Sequence, residues 1–437
     1  MGGVHPEENK ISTNAAIEVF PLPKQAVVFL SQHLGAPATP VVAKGDEVKT
    51  GQLIAKAEAF VCANIHSPVT GKVNKIDTMK DIFGFSKTAI VIDVAEKEEW
   101  VETVDTTPDI KRDIALSQKE IVDKLKEMGI VGLGGATFPT HIKYMIPEGK
   151  KAEYLLINAA ECEPYLTSDH RVILDHTEEV LIGISILRKA LGVPKAYIGI
   201  ESNKPEPIAR LQEMAKQFEG IEVVPLKVKY PQGAEKQLIY SITRRSVPSG
   251  KLPIDVGCVV NNIGTAFSVY EAVQKNKPLI ETIMTVTGKS LGINQHNFVV
   301  RIGTPFIDLA NAIGGIPDDT AKIISGGTMM GKAIANPEGP ITKGVSSMLF
   351  MSEEEAYRHE EQDCIRCGKC VKACPMGLEP YLFSSLINNG KFQEAADNHL
   401  MDCMECGCCL FSCPAHKPLT DEIRLAKTKL RQMQQKK

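Results

Sequence analysis

The chain has 437 residues, too long for one ordinary core, so about three domains are expected. Charged residues make up 24% and the net charge is −3, which excludes the basic footprint of a nucleic-acid binder. No apolar run approaches the ~20 residues of a membrane span, and Met1 to Lys10 is polar with no apolar stretch for export, so a soluble cytoplasmic chain that docks through protein contacts is expected.

Residues 18–95 carry short β runs and turns, among them Ala26-Val27-Val28-Phe29-Leu30 and Thr39-Pro40-Val41-Val42. The stretch from Lys44 to Ala55, followed by Ile65 to Val73, resembles the flattened barrel of biotinyl and lipoyl carrier domains. Such carriers present a lysine on a hairpin tip between the two halves. Here the tip reads Glu58-Ala59-Phe60-Val61-Cys62-Ala63-Asn64 and has no lysine, so a structural or docking role is expected, since fold alone does not imply function. His66 reads as part of a turn. Residues 96–116 are charged and punctuated by Pro108, as a linker would be. Ser117 to Met128 reads as a helix, with Ser117 as N-cap and Glu120 completing a capping box.

The segment Gly129 to Lys143 contains Gly132-Leu133-Gly134-Gly135-Ala136-Thr137-Phe138-Pro139-Thr140. Glycines let a backbone approach a ligand and turn N–H groups towards phosphate. The spacing is not the dinucleotide fingerprint, so phosphate cradle and plain loop both remain open from the glycines alone. Next come the strand Tyr154 to Asn158, a helix from Val180 to Leu191, the strand Ala196 to Ile200, a helix from Ile208 to Phe218 and the strand Ile221 to Leu226. This alternation predicts a parallel sheet. Asn158-Ala159-Ala160-Glu161-Cys162-Glu163-Pro164-Tyr165 then falls at a C-terminal strand end, where open α/β sheets bind ligands. Gly257 to Asn262 ends another strand with two amides. Strands follow at 257–261 and 283–286. Asn297 to Gly315 reads strand, turn, helix, with a strand at Ala321 to Ser325, as in a small β-grasp unit.

Ser352 to Gln362 reads as a charged helix leading to the cysteines. Cys364, Cys367, Cys370 and Cys374 precede Pro375; Cys403, Cys406, Cys409 and Cys413 precede Pro414. Both runs read C-x2-C-x2-C-x3-C-P, the pattern that holds 4Fe–4S clusters, in which the fourth cysteine ligates the other cluster of a pair. The expected sets are therefore Cys364, Cys367, Cys370 and Cys413, and Cys403, Cys406, Cys409 and Cys374. Zinc ribbons also use C-x2-C pairs, but four thiolates per zinc give no reason for a repeated third cysteine and Cys-Pro. Cys408 breaks the spacing and reads as a packed thiol, as do Cys62, Cys162 and Cys258 by default. Tyr381 to Met401 reads as helical, and Arg424 to Lys437 as a solvated helix or tail.

The glycine segment, Asn158 to Pro164, Gly233-Ala234-Glu235 and Asn261-Asn262 come in the same order as the FMN and NADH motifs of the flavin-bearing subunit of respiratory complex I. With a carrier-like barrel ahead and two ferredoxin runs behind, the chain resembles the RnfC family of the Rnf electron transport complex over residues 15–425. The resemblance implies a multidomain α+β and α/β chain. Its parts would be a barrel-sandwich domain (15–96), a Rossmann-like α/β domain for FMN and NADH (117–290), a β-grasp (SLBB-type) unit (291–350) and an α-helical domain with two 4Fe–4S clusters (352–425). It implies that Gly132, Gly134, Gly135 and Lys143 line the FMN phosphate and ribityl. Asn158, Glu161 and Cys162 would flank the flavin, with Asn261 and Asn262 at its phosphate end. Phe138 would stack on the nicotinamide or adenine, and Glu163 and Glu235 would lie near the NADH riboses. No acid–base catalyst is singled out. The implied activity is electron transfer between NAD(H), FMN and two clusters within a membrane-associated, ion-translocating ferredoxin:NAD oxidoreductase. The implied partners are the other subunits of that complex, with ferredoxin an indirect redox partner, and the implied place is peripheral, at the cytoplasmic face of the membrane. The complex I motif has Arg where this chain has Leu133, an acid where it has Ala160, and Glu where it has Ala234. Cobalamin reductase of bacterial microcompartments resembles the same family, and a flavin-free electron relay is the alternative of another class.

Overall fold

The computed structural model describes residues 2–435. Near the N-terminus, Gln25–Phe29, Ser86–Val94, Gly71–Lys80 and Glu47–Val48 form one sheet, and Thr39–Pro40, Leu53–Lys56 and Ile65–His66 form a second. Successive side chains of a strand point to opposite faces. Ala26 and Val28 accordingly enter a core with Ile54, Ile65, Val73, Ile90 and Ile92, while Val27 and Phe29 pack with Ala89 and Val91 on the other side. Burial on both faces explains why the first strand reads as an unbroken apolar run. Residues 96–116 form no helix or extended strand, as expected of a linker, but they are tied down. The Lys275 ammonium meets the Asp105 carboxylate at 3.2 Å and the Thr107 carbonyl at 3.0 Å.

The middle of the chain holds a four-stranded parallel sheet in the order Ile221–Leu226, Ala196–Glu201, Tyr154–Asn158, Cys258–Asn262. Its strands lie within a residue of the predicted ones, and the expected helices appear at Thr177–Leu191 and Pro205–Ala215. Ser117 and Glu120 make the predicted capping box at the start of Gln118–Glu127. One face of the sheet packs Leu155, Ile157 and Ile198 against helices that include Thr177–Leu191 and Ile263–Gln274. The other packs Leu156 and Val260 against Leu238 and Ile239 of helix Glu235–Thr243. Chain order reverses between the first and the fourth strand, so the crevice at their C-terminal ends is the switch point where such sheets take ligands. Asn158 and Asn262 are paired neighbours at that edge.

Gly183 lets the two long helices touch, because a Cβ there would overlap the Ala266 carbonyl oxygen. Replacing Gly183 by Ala is expected to cost roughly 1–3 kcal/mol through overpacking. A denaturant titration with an unchanged slope and a lowered midpoint checks this.

A six-stranded mixed sheet follows, in the order Ile17–Val19, His296–Arg301, Glu281–Thr287, Ser347–Ser352, Thr320–Ser325, Lys332–Ala333. Helix Phe306–Ala312 covers it through Phe306, Leu309 and Ala310. An expected boundary at residue 290 separates Glu281–Thr287 from both strands that it pairs with, and Ile17–Val19 joins from the far end of the chain. Pairing over such separations leaves no local mark in a sequence.

The last region is helical. The charged run after Ser352 is helical only over Glu353–Ala356, and the chain is irregular from 357 to the first cysteines. The stretch 381–401 divides into Pro380–Asn388, Phe392–Asp397 and a 3-10 turn, with a break at Asn389-Gly390. The final helix spans Leu419–Gln435 and is not simply solvated. Ile423, Ala426 and Leu430 pack on Phe383, Leu386 and Ile387.

Candidate flavin cavity and cysteine sites

A cavity of ≈ 1830 Å³ opens at the switch point of the parallel sheet. Gly132, Gly134, Gly135, Phe138, Lys143, Asn158, Glu161, Cys162, Glu163, Glu235, Asn261 and Asn262 all line it. The glycine loop is closed at its neck, where the Gly132 N–H donates to the Phe138 carbonyl at 2.9 Å. Leu133, standing where the complex I motif has Arg, donates its N–H to Thr265 Oγ1 at 2.9 Å and packs against the apolar core. A Cβ at Gly135 would meet nothing within 4 Å, and its φ is not left-handed. Neither packing nor backbone geometry therefore asks for glycine there. Bare backbone facing a cavity is what a close-lying ligand asks for.

The segment after the first strand is held by its own side chains. Asn158 donates to the Gly233 carbonyl at 2.7 Å and accepts from the Ala160 N–H at 3.1 Å. The Glu161 carboxylate accepts from the Asp169 and His170 N–H groups at 2.7 and 3.3 Å, at the start of helix Ser168–Asp175. Burial raises its pKa, against the pull of Lys10 and Lys204. Burial, helped by the Glu161 charge, also pushes Asp169 up to about 7. Cys162 Sγ accepts from the Gly233 N–H at 3.3 Å, and burial pushes the thiol up to about 12, so it is a neutral wall. Asn262 caps helix Ile263–Gln274 through Gly264 and Thr265 and donates to Asp169 at 2.7 Å. Both ends of its amide are thus in use. Asn261 donates to the Tyr144 hydroxyl at 2.7 Å, while its Oδ1 is buried with no partner. That orphan acceptor suits a hydroxyl donor such as a ribityl chain. Lys143 donates to the Val260 carbonyl at 2.8 Å and stands 3.6 Å from Glu235. The residues present fit a flavin mononucleotide: bare backbone, an unpaired acceptor and a cation at one crevice.

The cysteines fall into two environments. Cys374, Cys403, Cys406, Cys408 and Cys409 line one small cavity. Cys413 packs with Cys370 and Cys409, whereas Cys364 and Cys367 are exposed. Among the described residues, no three His, Cys, Asp or Glu side chains converge as ligands of a single ion. A cubane asks for a different arrangement, thiolates at separate corners of a cavity. Cys408 is fully buried, with its thiol 3.9 Å from the Tyr230 carbonyl, and it lines the same cavity as Cys374, Cys403, Cys406 and Cys409. The Tyr230 hydroxyl lies 3.0 Å from the Glu163 carboxylate and 2.8 Å from the Cys406 carbonyl, so one side chain touches both sites.

Three family models match the chain: an RnfC barrel sandwich hybrid domain over residues 1–97, a Nuo51 FMN-binding domain over 125–271, and a 4Fe-4S dicluster domain over 356–414. The C subunit of the proton-translocating ferredoxin:NAD(+) oxidoreductase complex of Clostridium ljungdahlii is 47% identical, across 91% of this chain and 86% of that protein. The chain belongs to the RnfC family. Its counterpart in the Na(+)-translocating complex of Acetobacterium woodii is 40% identical over 98% of this chain and 96% of that protein. The counterpart in the ion-translocating oxidoreductase complex of Rhodobacter capsulatus is 39% identical over 100% and 84%. Among solved structures, the NAD+-reducing [NiFe]-hydrogenase in its H2-reduced state aligns with a TM-score of 0.51 at 17% identity, over 74% of this chain and 63% of that one. That likeness shows the fold alone.

Sequence reasoning missed several residues of this RnfC-family chain. The loop Ser325 to Gly331 closes on the cavity. The Met329 N–H donates to Glu163 at 3.1 Å, and a Cβ on Gly327 would overlap the same carboxylate. Its three glycines between residues 326 and 331 were the available signal. Lys10 donates to the carbonyls of Glu161, Glu163 and Leu166, a contact no local pattern announces. The Lys343 ammonium joins the carrier-like tip to the glycine segment, donating to the Asn64 carbonyl at 3.1 Å and to Gly129 at 2.7 Å. Burial draws its pKa down to about 7.

Proposed function

We propose that this chain is the NADH-binding flavo-iron–sulfur subunit of an ion-translocating ferredoxin:NAD oxidoreductase complex. FMN, when bound, supplies exchange between two-electron hydride chemistry and the one-electron chemistry of two 4Fe–4S clusters. The observation that carries the reading is the joining of the two sites. All twelve flavin and nucleotide candidates line one cavity, and Tyr230 connects its Glu163 to Cys406.

In this reading Gly132, Gly134 and Gly135 admit the flavin phosphate and ribityl, with Lys143 as the nearby cation and Asn261 Oδ1 as a hydroxyl acceptor. Asn158, Glu161 and Asn262 shape the cavity from behind, since their polar atoms already serve the backbone. Phe138 offers a stacking face, and Glu163 and Glu235 lie at the ribose end, Glu163 already accepting from the Tyr230 hydroxyl and the Met329 N–H and Glu235 standing 3.6 Å from Lys143. Cys374, Cys403, Cys406 and Cys409 form the ligand set nearer the cavity. Cys364, Cys367, Cys370 and Cys413 form the outer set, whose exposed members suit delivery to another subunit. The domain limits follow those given above except that the third unit, an SLBB-type β-grasp, takes in the strand Glu281–Thr287 from the α/β domain. Among the described residues no helix is long and apolar enough to cross a membrane, so attachment would come from other subunits, with this one at the cytoplasmic face. Ferredoxin would be reached through those partners.

Anaerobic purification with iron counting, flavin extraction and an NADH–ferricyanide assay tests the reading. Bound FMN, about eight irons per chain and NADH-dependent reduction are expected. A preparation that takes up no FMN, or that holds zinc in place of iron, would overturn it. Glu163→Gln is expected to raise the KM for NADH roughly tenfold while the iron content stays constant; an unchanged KM would remove Glu163 from the nucleotide site.

A further inference from the structure

Residues 2–13 contain a single β-bridge and one turn, yet they touch both the first cysteine run and the loop that follows the strand Tyr154–Asn158. The Gly3 N–H donates to the Ala373 carbonyl at 2.7 Å, beside Cys374. Val4 and Tyr230 exchange both backbone hydrogen bonds, at 2.8 and 3.0 Å. The Tyr165 N–H donates to the Glu8 carbonyl at 2.9 Å. Lys10 Nζ donates to the carbonyls of Glu161, Glu163 and Leu166 at 2.8, 2.8 and 2.6 Å. Ser12 and Thr167 join through their hydroxyls at 2.7 Å.

Two details show that this segment is built to hold something. An ammonium has three donors and no acceptor, and here three carbonyls of one loop take all three. That loop holds Glu161 at φ 44° and Tyr165 at φ 71°, left-handed conformations that such residues keep only when their surroundings impose them. At the other end, a Cβ on Gly2 would overlap the Cys374 carbonyl, and one on Gly3, at φ 82°, would stand 2.6 Å from the Tyr230 carbonyl. The backbone is therefore wedged between the inner cysteine set and the loop that carries Glu161, Cys162 and Glu163.

We propose that residues 2–13 are a strap that sets the spacing between the inner cysteine set and the flavin loop, with Lys10 as the positioning residue of that loop. The inference rests on the flavin reading above. Two ammonium groups, those of Lys10 and Lys204, stand behind the loop. Lys204 donates to the Ala160 carbonyl at 2.7 Å, so each fixes main chain on one side of Glu161. Removing the Lys10 charge frees three carbonyls and releases the loop. A side chain at Gly3 would press on the Tyr230 carbonyl and disturb the bond to the Ala373 carbonyl, while the Lys10 anchor of the loop stays in place. Electron tunnelling falls steeply with distance, so this second change appears in transfer between the sites and not at the flavin.

The test uses the whole chain, purified anaerobically as wild type, Lys10→Gln and Gly3→Val. Measured are iron content, the dissociation constant for added FMN, NADH–ferricyanide activity, and the rate at which NADH bleaches the chain's own clusters. Lys10→Gln is expected to keep its iron and to bind FMN about tenfold more weakly. Gly3→Val is expected to keep FMN affinity and ferricyanide activity while cluster bleaching slows by about tenfold or more. Wild-type FMN affinity in Lys10→Gln, or wild-type bleaching in Gly3→Val, would overturn the strap. Failure of the wild type itself to bind FMN would sink the flavin reading instead.

Discussion

Replacing Cys374 by alanine is expected to remove about four of about eight irons and leave FMN binding intact. The informative experiment pairs it with a second change. Cys374 shares a cavity with Cys403, Cys406, Cys408 and Cys409, whereas Cys413 packs with Cys370 and Cys409. If each fourth cysteine serves the opposite run, Cys374→Ala with Cys364→Ala removes both clusters, and iron falls to about zero. Cys374→Ala with Cys403→Ala damages one cluster twice and leaves about four irons. Ligation within each run reverses the two results. Iron counting on the double variants therefore decides the pairing, and FMN content in the same samples shows that the α/β region has folded.

The second large effect is expected at Gly135. A Cβ there meets nothing within 4 Å, so with valine the fold should hold to within about 0.5 kcal/mol, as for surface changes. Its branched side chain would instead project into the space assigned to the flavin. FMN affinity should drop by at least about tenfold, or ~1.4 kcal/mol, with iron content and unfolding midpoint unchanged. Equilibrium dialysis with FMN measures the first, and denaturant titration the last. Wild-type FMN affinity in the valine variant would move the flavin away from this loop.

Local patterns carried much of this molecule. Tyr154 to Asn158 is a five-residue strand because both faces of a central parallel strand are buried, and its apolar run shows that directly. The cysteine spacing and the Ser117 cap are equally local, and the twelve cavity residues came from motifs at two strand ends and two loops. What stayed hidden depends on contacts far along the chain. Lys10 meets residues more than 150 positions away, so its neighbours in sequence say nothing of its role. Ile17–Val19 reads as a stray apolar triplet until His296–Arg301 lies beside it. The stretch 357–362 has the composition of a helix but runs irregularly up to Cys364 and Cys367. In the terminal helix, Ile423, Ala426 and Leu430 recur at helical spacing, yet the surrounding Lys and Arg residues obscure the stripe.

The hairpin tip of the N-terminal barrel has one more consequence. In a carrier that tip is a traveller: it bears a tethered group from one station to another, and solvent drag limits the journey. Here the tip is moored, with Asn64 held by Lys343 and its own side chain donating to the Glu127 carbonyl at 3.1 Å. In the folded chain the tip is already docked. Thickening the medium with glycerol or sucrose should therefore leave the passage of electrons inside this chain untouched, in contrast to any relay that still depends on a swinging arm.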